Sequence, residues 1–384
     1  MYSYFPNNNA AFASDETPHS WQFASEGKIN GGLAVVGNAL YFESFAHDLV
    51  ALDRRSGHLL WRARLPNVAM TTPIVAGGLV VVGTGKNEVA VDTGQLLVWG
   101  QPGGDEVAAF DARTGAFRWR YRTVGEDMPS PALVRVNGRD AIVFANGDDH
   151  ARALDARTGR LLWSTRLDGV STMASAVASA GIVYVLAGVA AGMHRPDHVY
   201  AIRARDGRIV WEAPYGNADV SPAVADGRVF ISDAQRLRAP ADRNTVNDVF
   251  ALDARTGALL WERTSAAGFL TNVGTNEEAI AGMVDRVTFF VSLPAARRFS
   301  AFSASDGRVL WSVATMAAVK MSAVALDGKI YAGDTAGVLY TIAEGSGRVL
   351  SRRRFARPFT CSSPVVVGRT LYIANDDRVF ALSI

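Results

Sequence analysis

One position recurs eight times in this chain, three residues ahead of a proline or of the residue standing in its place. It carries Asn30, Met70, Met128, Met173, Asp219, Asn276, Lys320 and Cys361. Asp219 can serve as a general base and Lys320 as its electrostatic partner, because a shielded site shifts the pKa of either group. An ordinary ion pair is the plainer alternative. Asp219, Asn276 and the adjoining Glu277 offer the oxygen ligands that calcium takes, and Glu126 and Asp127 stand near the same level. Met70, Met128, Met173 and Cys361 are soft donors of the kind copper(I) prefers. They are equally the side chains that plug an irregular funnel. One soft apolar wall and one charged wall together suit an amphipathic small molecule.

His47, His150, His194 and His198 fall on loops expected beside these positions. A histidine there can shuttle protons, or simply sit in a surface turn. His150 is kept as a binding candidate. Three long insertions, 84–106, 188–198 and 233–248, add asymmetry, and the last carries Arg236, Arg238 and Arg243. Loops of this length in a compact repeat are commonly functional. Gly83-Thr84-Gly85-Lys86 resembles a phosphate-binding fragment, but its spacing and the missing Ser or Thr after the lysine rule that out. The chain has no G-x-S-x-G elbow and no H-E-x-x-H pair. Nothing in the sequence pairs a histidine with Cys361, so a cysteine nucleophile is not favoured.

Residues so far apart can meet only if a repeat brings them together, and one phrase does recur. It reads LVALDRRSGHLLW to Trp61, VAAFDARTGAFRW to Trp119 and ARALDARTGRLLW to Trp163. Related copies end at Trp211, Trp261 and Trp311. A seventh has Ser351 where the tryptophan would stand, and an eighth breaks off at the C-terminus as VFALSI. The alternating run is a strand, D-A-R-T-G is a tight turn, and the tryptophan strand follows. Two further short strands precede each phrase. Spacings of 40 to 58 residues between copies fit a four-stranded propeller blade with insertions.

Eight first, second and third strands can be counted, but only seven fourth strands follow them. The missing one is Ser20-Trp21-Gln22-Phe23, which has no third strand before it. The expectation is an all-β, eight-bladed propeller spanning 20–384, closed when the strand around Trp21 completes the last blade. Residues 1–19 are expected to form an N-terminal extension.

The 384 residues are 49% hydrophobic with a net charge of +2. That balance argues against nucleic acid as a partner, and no run nears the roughly 18 apolar residues of a membrane-spanning helix. A single cysteine excludes an internal disulfide. The first twenty residues lack the charged and apolar regions of a signal peptide.

The phrases resemble the pyrroloquinoline-quinone (PQQ) repeat family, whose consensus is Ala-x-Asp-x-x-Thr-Gly-x-x-x-Trp. The resemblance covers nearly all of residues 20–384. Quinoprotein alcohol dehydrogenases of that family imply PQQ with a calcium or lanthanide ion in the central funnel, beneath two adjacent cysteines. This chain has no such pair. The family also includes a periplasmic propeller lipoprotein of outer-membrane protein assembly, which implies a periplasmic location and a lipidated N-terminal cysteine; that cysteine too is absent here. Two functions follow as expectations. One is an oxidoreductase-like enzyme acting on a small organic substrate at the funnel, with Asp219 as base. The other is a non-catalytic scaffold holding a protein partner through the same face.

Overall fold

The computed structural model describes residues 11–12, 14, 16–85, 88–90, 96–98, 104–125, 127, 129–171, 173–188, 198–216, 221–233, 247–265, 280–284, 287–293 and 297–384. The repeating phrase folds as expected, and the first blade sets the pattern. Its strands Ala34–Val36, Ala39–Ser44, Asp48–Asp53 and Leu59–Arg64 form an antiparallel meander, here lettered A to D from the axis outward. Six further four-stranded sheets repeat it, ending with Val324–Leu326, Lys329–Gly333, Val338–Ala343 and Val349–Arg354. The eighth takes Val365–Val367, Thr370–Ala374 and Arg378–Ser383 from the C-terminus and Trp21–Ala24 from the N-terminus. Trp21 pairs with Ala381, so the two ends of the chain meet inside one blade.

The turn between strands C and D explains the conserved chemistry of the phrase within this chain. Asp111 Oδ1 accepts from the backbone N–H of Arg113 and Thr114 and from the Thr114 hydroxyl, at 2.9 to 3.1 Å. Asp155 and Asp253 repeat this set. The turn glycine has a φ of 68° to 73° in all seven turns, which favours glycine. A second requirement is steric. A Cβ on any of these glycines would lie 2.4 to 2.7 Å from the tryptophan ring of the preceding blade. Each indole N–H also donates to a carbonyl of the same turn, as Trp61 does to Ala112 at 3.0 Å and Trp261 to Ala304 at 3.0 Å. Blades are thus buttoned together by an apolar ring, a bare glycine and one hydrogen bond.

Trp21 makes this contact with Gly57 and the Arg54 carbonyl of blade 1, which closes the ring from blade 8. Only the seam from blade 7 to blade 8 lacks a docked tryptophan. Ser351 stands there, its hydroxyl turned to Thr341 at 2.9 Å. Blade 8 has no turn to receive a tryptophan, because the chain ends are in its place.

Around the axis a second set of links joins the segments leading into the A strands. The backbone N–H of Thr72 donates to Ser130 Oγ at 2.7 Å, that of Ser130 to Ser175 at 3.0 Å, and that of Ser175 to Ser221 at 2.7 Å. The core lies between blades, in clusters such as Val80, Val82, Leu49 and Trp61, built from facing sheets. Part of the N-terminal segment belongs to the ring. Ala11–Phe12 runs parallel to Val365–Val367 on its inner edge. Glu16 accepts from Arg54 at 2.8 Å and Arg55 at 2.9 Å.

Candidate functional site

In five blades the segment entering the A strand leaves one described residue half-exposed beside buried neighbours. Asn30, Met70, Met173, Lys320 and Cys361 all have this intermediate exposure. Beside them Ile29, Ala69, Thr71, Ala174, Val319, Met321 and Ser362 are 0 to 1% exposed. The links between segments order these positions. A Cβ on Gly31 would lie 3.0 Å from the Met70 carbonyl, which sets Asn30 beside Met70. The Thr360 hydroxyl donates to the Ile29 carbonyl at 2.6 Å, which sets Cys361 beside Asn30. Met128, Asp219, Asn276 and Glu277 lie outside the described residues, as do His194, Glu126, Arg236, Arg238 and Arg243.

Two buried carboxyl groups stand directly behind this row. Glu43, near the end of strand Ala39–Ser44, is 0% exposed. Thr71, next to Met70, donates its hydroxyl to Glu43 Oε1 at 2.8 Å, while Oε2 is buried with no hydrogen-bond partner among the described residues. Burial pushes the Glu43 carboxyl well above the usual range, against the hydrogen bonds from Thr71. Asp127, one residue before Met128, is 1% exposed; Thr123 donates to its Oδ2, and its Oδ1 is buried with no hydrogen-bond partner among the described residues. Burial first, then the negative charges of Asp148 and Asp105, hold Asp127 well above its ordinary value, with Thr123 and Arg152 opposing. Gly83 lies between the two acids. Its amide donates to the Thr71 hydroxyl at 3.3 Å, and a Cβ on it would lie 2.2 Å from the Asp127 carbonyl. Burial disfavours the charged form of both groups in this sector of blades 1 to 3.

Asp127 was visible in the sequence near Met128; Glu43 was not singled out. A comparison of blades at one B-strand position reveals it. Its counterparts, read from the strand pairing, are Gly83, Ala145, Leu186, Ser232, Ser292, Gly333 and Ala374. Only blade 1 puts an ionisable group there.

His150 begins strand His150–Asp155, the third of blade 3. Its Nδ1 lies 2.7 Å from Asp149 Oδ1 and 2.9 Å from the Asp148 carbonyl, which fixes the ring. Asp148, Asp149 and His150 bring one ligand atom each within 4.8 Å. Both carboxylates already have a cation, however. Arg152 grips Asp148 through two bonds of 2.7 Å, and Arg166 donates to Asp149 at 3.0 Å. His47 is a turn residue with a φ of 64°. His198 opens strand His198–Arg203 beside the Tyr200 ring.

The fit of a PQQ-type ion follows from the donor set. The described row supplies one amide oxygen, two thioethers, an ammonium and a thiol. That set does not cage a hard cation, which requires several oxygens. Copper(I) would accept the sulfurs, but they come from separate blades.

A family profile described as outer membrane protein assembly factor BamB matches residues 10–143, 87–237 and 195–384. Tetrathionate hydrolase of Acidithiobacillus ferrooxidans is 26% identical over 367 residues, covering 91% of this chain and 72% of that protein. Quinohemoprotein alcohol dehydrogenase ADH IIB of Pseudomonas putida is 30% identical over 108 residues, 27% of this chain and 14% of that enzyme's length. The crystal structure of quinohemoprotein alcohol dehydrogenase from Comamonas testosteroni superposes with a TM-score of 0.67 at 12% identity, covering 97% of this chain and 78% of that one. The last likeness is one of fold.

Proposed function

Since this chain belongs to the propeller family described as outer membrane protein assembly factor BamB, related also to quinoprotein dehydrogenases, we propose that it uses the shared ring as a small-molecule enzyme, hydrolysing a sulfur oxoanion of the tetrathionate type at the funnel mouth. The observation that carries this reading is the alignment with tetrathionate hydrolase along 91% of the chain. The dehydrogenase match, by contrast, covers 27%.

The chemistry of the mouth supports it. A dianion is repelled by carboxylates and held by cations and neutral donors. Lys320 supplies the ammonium and Asn30 an amide. Met70, Met173 and Cys361 offer polarisable surface to a chain of sulfur atoms. Burial disfavours the charged forms of Glu43 and Asp127, which weakens their repulsion of the anion. Glu43 acts as a positioning residue, fixing Thr71 and through it the backbone that presents Met70. Asp219 is assigned the role of general base for the attacking water. PQQ, where it binds, supplies a two-electron acceptor; no step of this proposal passes through it.

The test is consumption of tetrathionate with water as the only co-reactant, followed by ion chromatography. Lys320→Ala is expected to lower kcat/KM by about tenfold to a hundredfold, the loss of one charge-assisted contact. No consumption between acidic and neutral pH sinks the hydrolase reading. Alcohol-dependent reduction of a dye on adding PQQ and calcium would replace it with the oxidoreductase. The family description also favours a second reading, a scaffold for a protein partner, in which the insertion 233–248 is the contact. Deleting that insertion then releases the partner and leaves small-molecule turnover at zero throughout.

A further inference from the structure

The outermost strand of blade 7, Val349–Arg354, differs electrically from its counterparts. In blade 1 the outer-strand cations have carboxylates. Arg62 binds Glu26, and Arg62 and Arg64 each lie 3.8 Å from Asp48. In blade 2 Arg120 lies 3.4 Å from Glu106. Strand pairing explains this, since the first residue of strand C faces the outer strand: Asp48 opposes Arg64, and Glu106 opposes Arg122.

Blade 7 keeps the cations and loses the acids. Arg352, Arg353 and Arg354 are consecutive and exposed, and they oppose Tyr340, Leu339 and Val338. None of the three has a carboxylate within salt-bridge distance among the described residues. Aromatic rings hold two of them instead. The Arg352 guanidinium lies 5.7 Å from the centre of the Tyr340 ring, and that of Arg353 lies 5.0 Å from Phe355. A ring steadies a guanidinium but leaves its N–H donors free for an oxygen acceptor. Among the described residues the strand pairs only with Val338–Ala343, and no described strand lies on its outer backbone edge. No tryptophan leaves this blade for the next, because Ser351 stands in its place.

We propose that this strand is a docking edge for an acidic, extended segment of a partner protein, added as a fifth strand of blade 7. Arg352 and Arg354 lie on one side of the strand about 7 Å apart, the period of two residues. Carboxylates two residues apart on an extended peptide have the same spacing. The open backbone edge favours a polypeptide over other polyanions, because only a polypeptide continues the hydrogen-bond ladder. Charged side chains also discourage self-association of an edge strand, but that purpose would be served equally by neutralised pairs such as those of blades 1 and 2.

The experiment uses the full chain and a fluorescein-labelled alternating Glu-Thr peptide, read by anisotropy at two salt concentrations. Binding is expected to weaken with salt. The triple variant Arg352→Ser, Arg353→Ser, Arg354→Ser should lose about tenfold or more in affinity at an unchanged melting temperature. Arg62→Ser with Arg64→Ser should bind as the parent does. The same Glu-Thr peptide N-methylated at every residue, equal in charge but without backbone donors, should bind more weakly. Equal binding of both peptides overturns the strand-addition geometry, and equal binding by the triple variant overturns the site. If only oligo-dT or phosphatidylglycerol vesicles bind, the partner is not an acidic peptide and the proposal fails.

Discussion

Replacing Trp261 by alanine tests whether the buttons between blades hold the ring together. Trp261 is 6% exposed, lies against Gly307 of the next blade and donates its indole N–H to the Ala304 carbonyl at 3.0 Å. Truncating a buried tryptophan costs about 3–5 kcal/mol, and a carbonyl left without its donor adds about 1 kcal/mol. A loss near 4 kcal/mol is a conservative expectation. At about 2.1 cal/mol/K per residue the unfolding entropy of 384 residues is about 0.8 kcal/mol/K, so the melting temperature should fall by about 5 °C. Differential scanning calorimetry measures it. The control is Ser351→Trp, which puts a tryptophan at the one seam with no turn glycine to receive it. That variant should gain nothing. A fall below about 1 °C for Trp261→Ala, or a comparable rise for Ser351→Trp, would refute the role given to the glycine-tryptophan contact.

Two further predictions concern protons. Burial raises the Glu43 carboxyl above its unfolded value of 4.5, so its contribution to stability is whole below that pH and is lost as pH rises toward the folded value. Glu43→Gln removes this dependence, and its melting temperature relative to the parent should climb steadily from pH 4 to pH 9; a difference independent of pH would contradict the buried neutral acid. Glu16 shifts the opposite way, lowered from 4.5 to about 2 by its hydrogen bonds to Arg54 and Arg55. Its contribution is present above 4.5 and lost as pH falls toward 2. Hydrogen exchange at Trp21–Ala24 should therefore stay slow at pH 4 and quicken in Glu16→Gln, and equal exchange in the two proteins would dismiss the latch.

The architecture was legible because the repeat is written in residue types with narrow physical meaning. Asp111, Thr114, Gly115 and Trp119 each have a narrow geometric duty, and the unpaired Trp21 announced where the ring closes. The positions Asn30, Met70, Met173, Lys320 and Cys361 were legible from their spacing to a following proline, as at Met70 and Cys361, or to the residue standing in its place. Glu43 was not, since a glutamate in an alternating strand reads as solvent-facing until the strand is aligned with its seven counterparts. The second duty of the turn glycines, to let a tryptophan lie flat on them, needs the neighbouring blade to be seen. The two-residue strand Ala11–Phe12 is too short to show alternation, and its partner lies at the other end of the chain. The unneutralised arginines of blade 7 become visible only once Val338 is known to oppose Arg354.

The meeting of the chain ends inside blade 8 sets a timetable for biosynthesis. The strand Trp21–Ala24 is made long before its partner Arg378–Ser383. At ~5–20 residues per second, the 360 positions from Trp21 to Ala381 take roughly 20–70 s to translate. Seven blades can form meanwhile from local hairpins, but the eighth must wait, with Trp21 and Phe23 uncovered, until Arg378–Ser383 has been made. The early strand is therefore the segment most exposed to premature association, and a molecule that shields it briefly would raise the yield of closed rings.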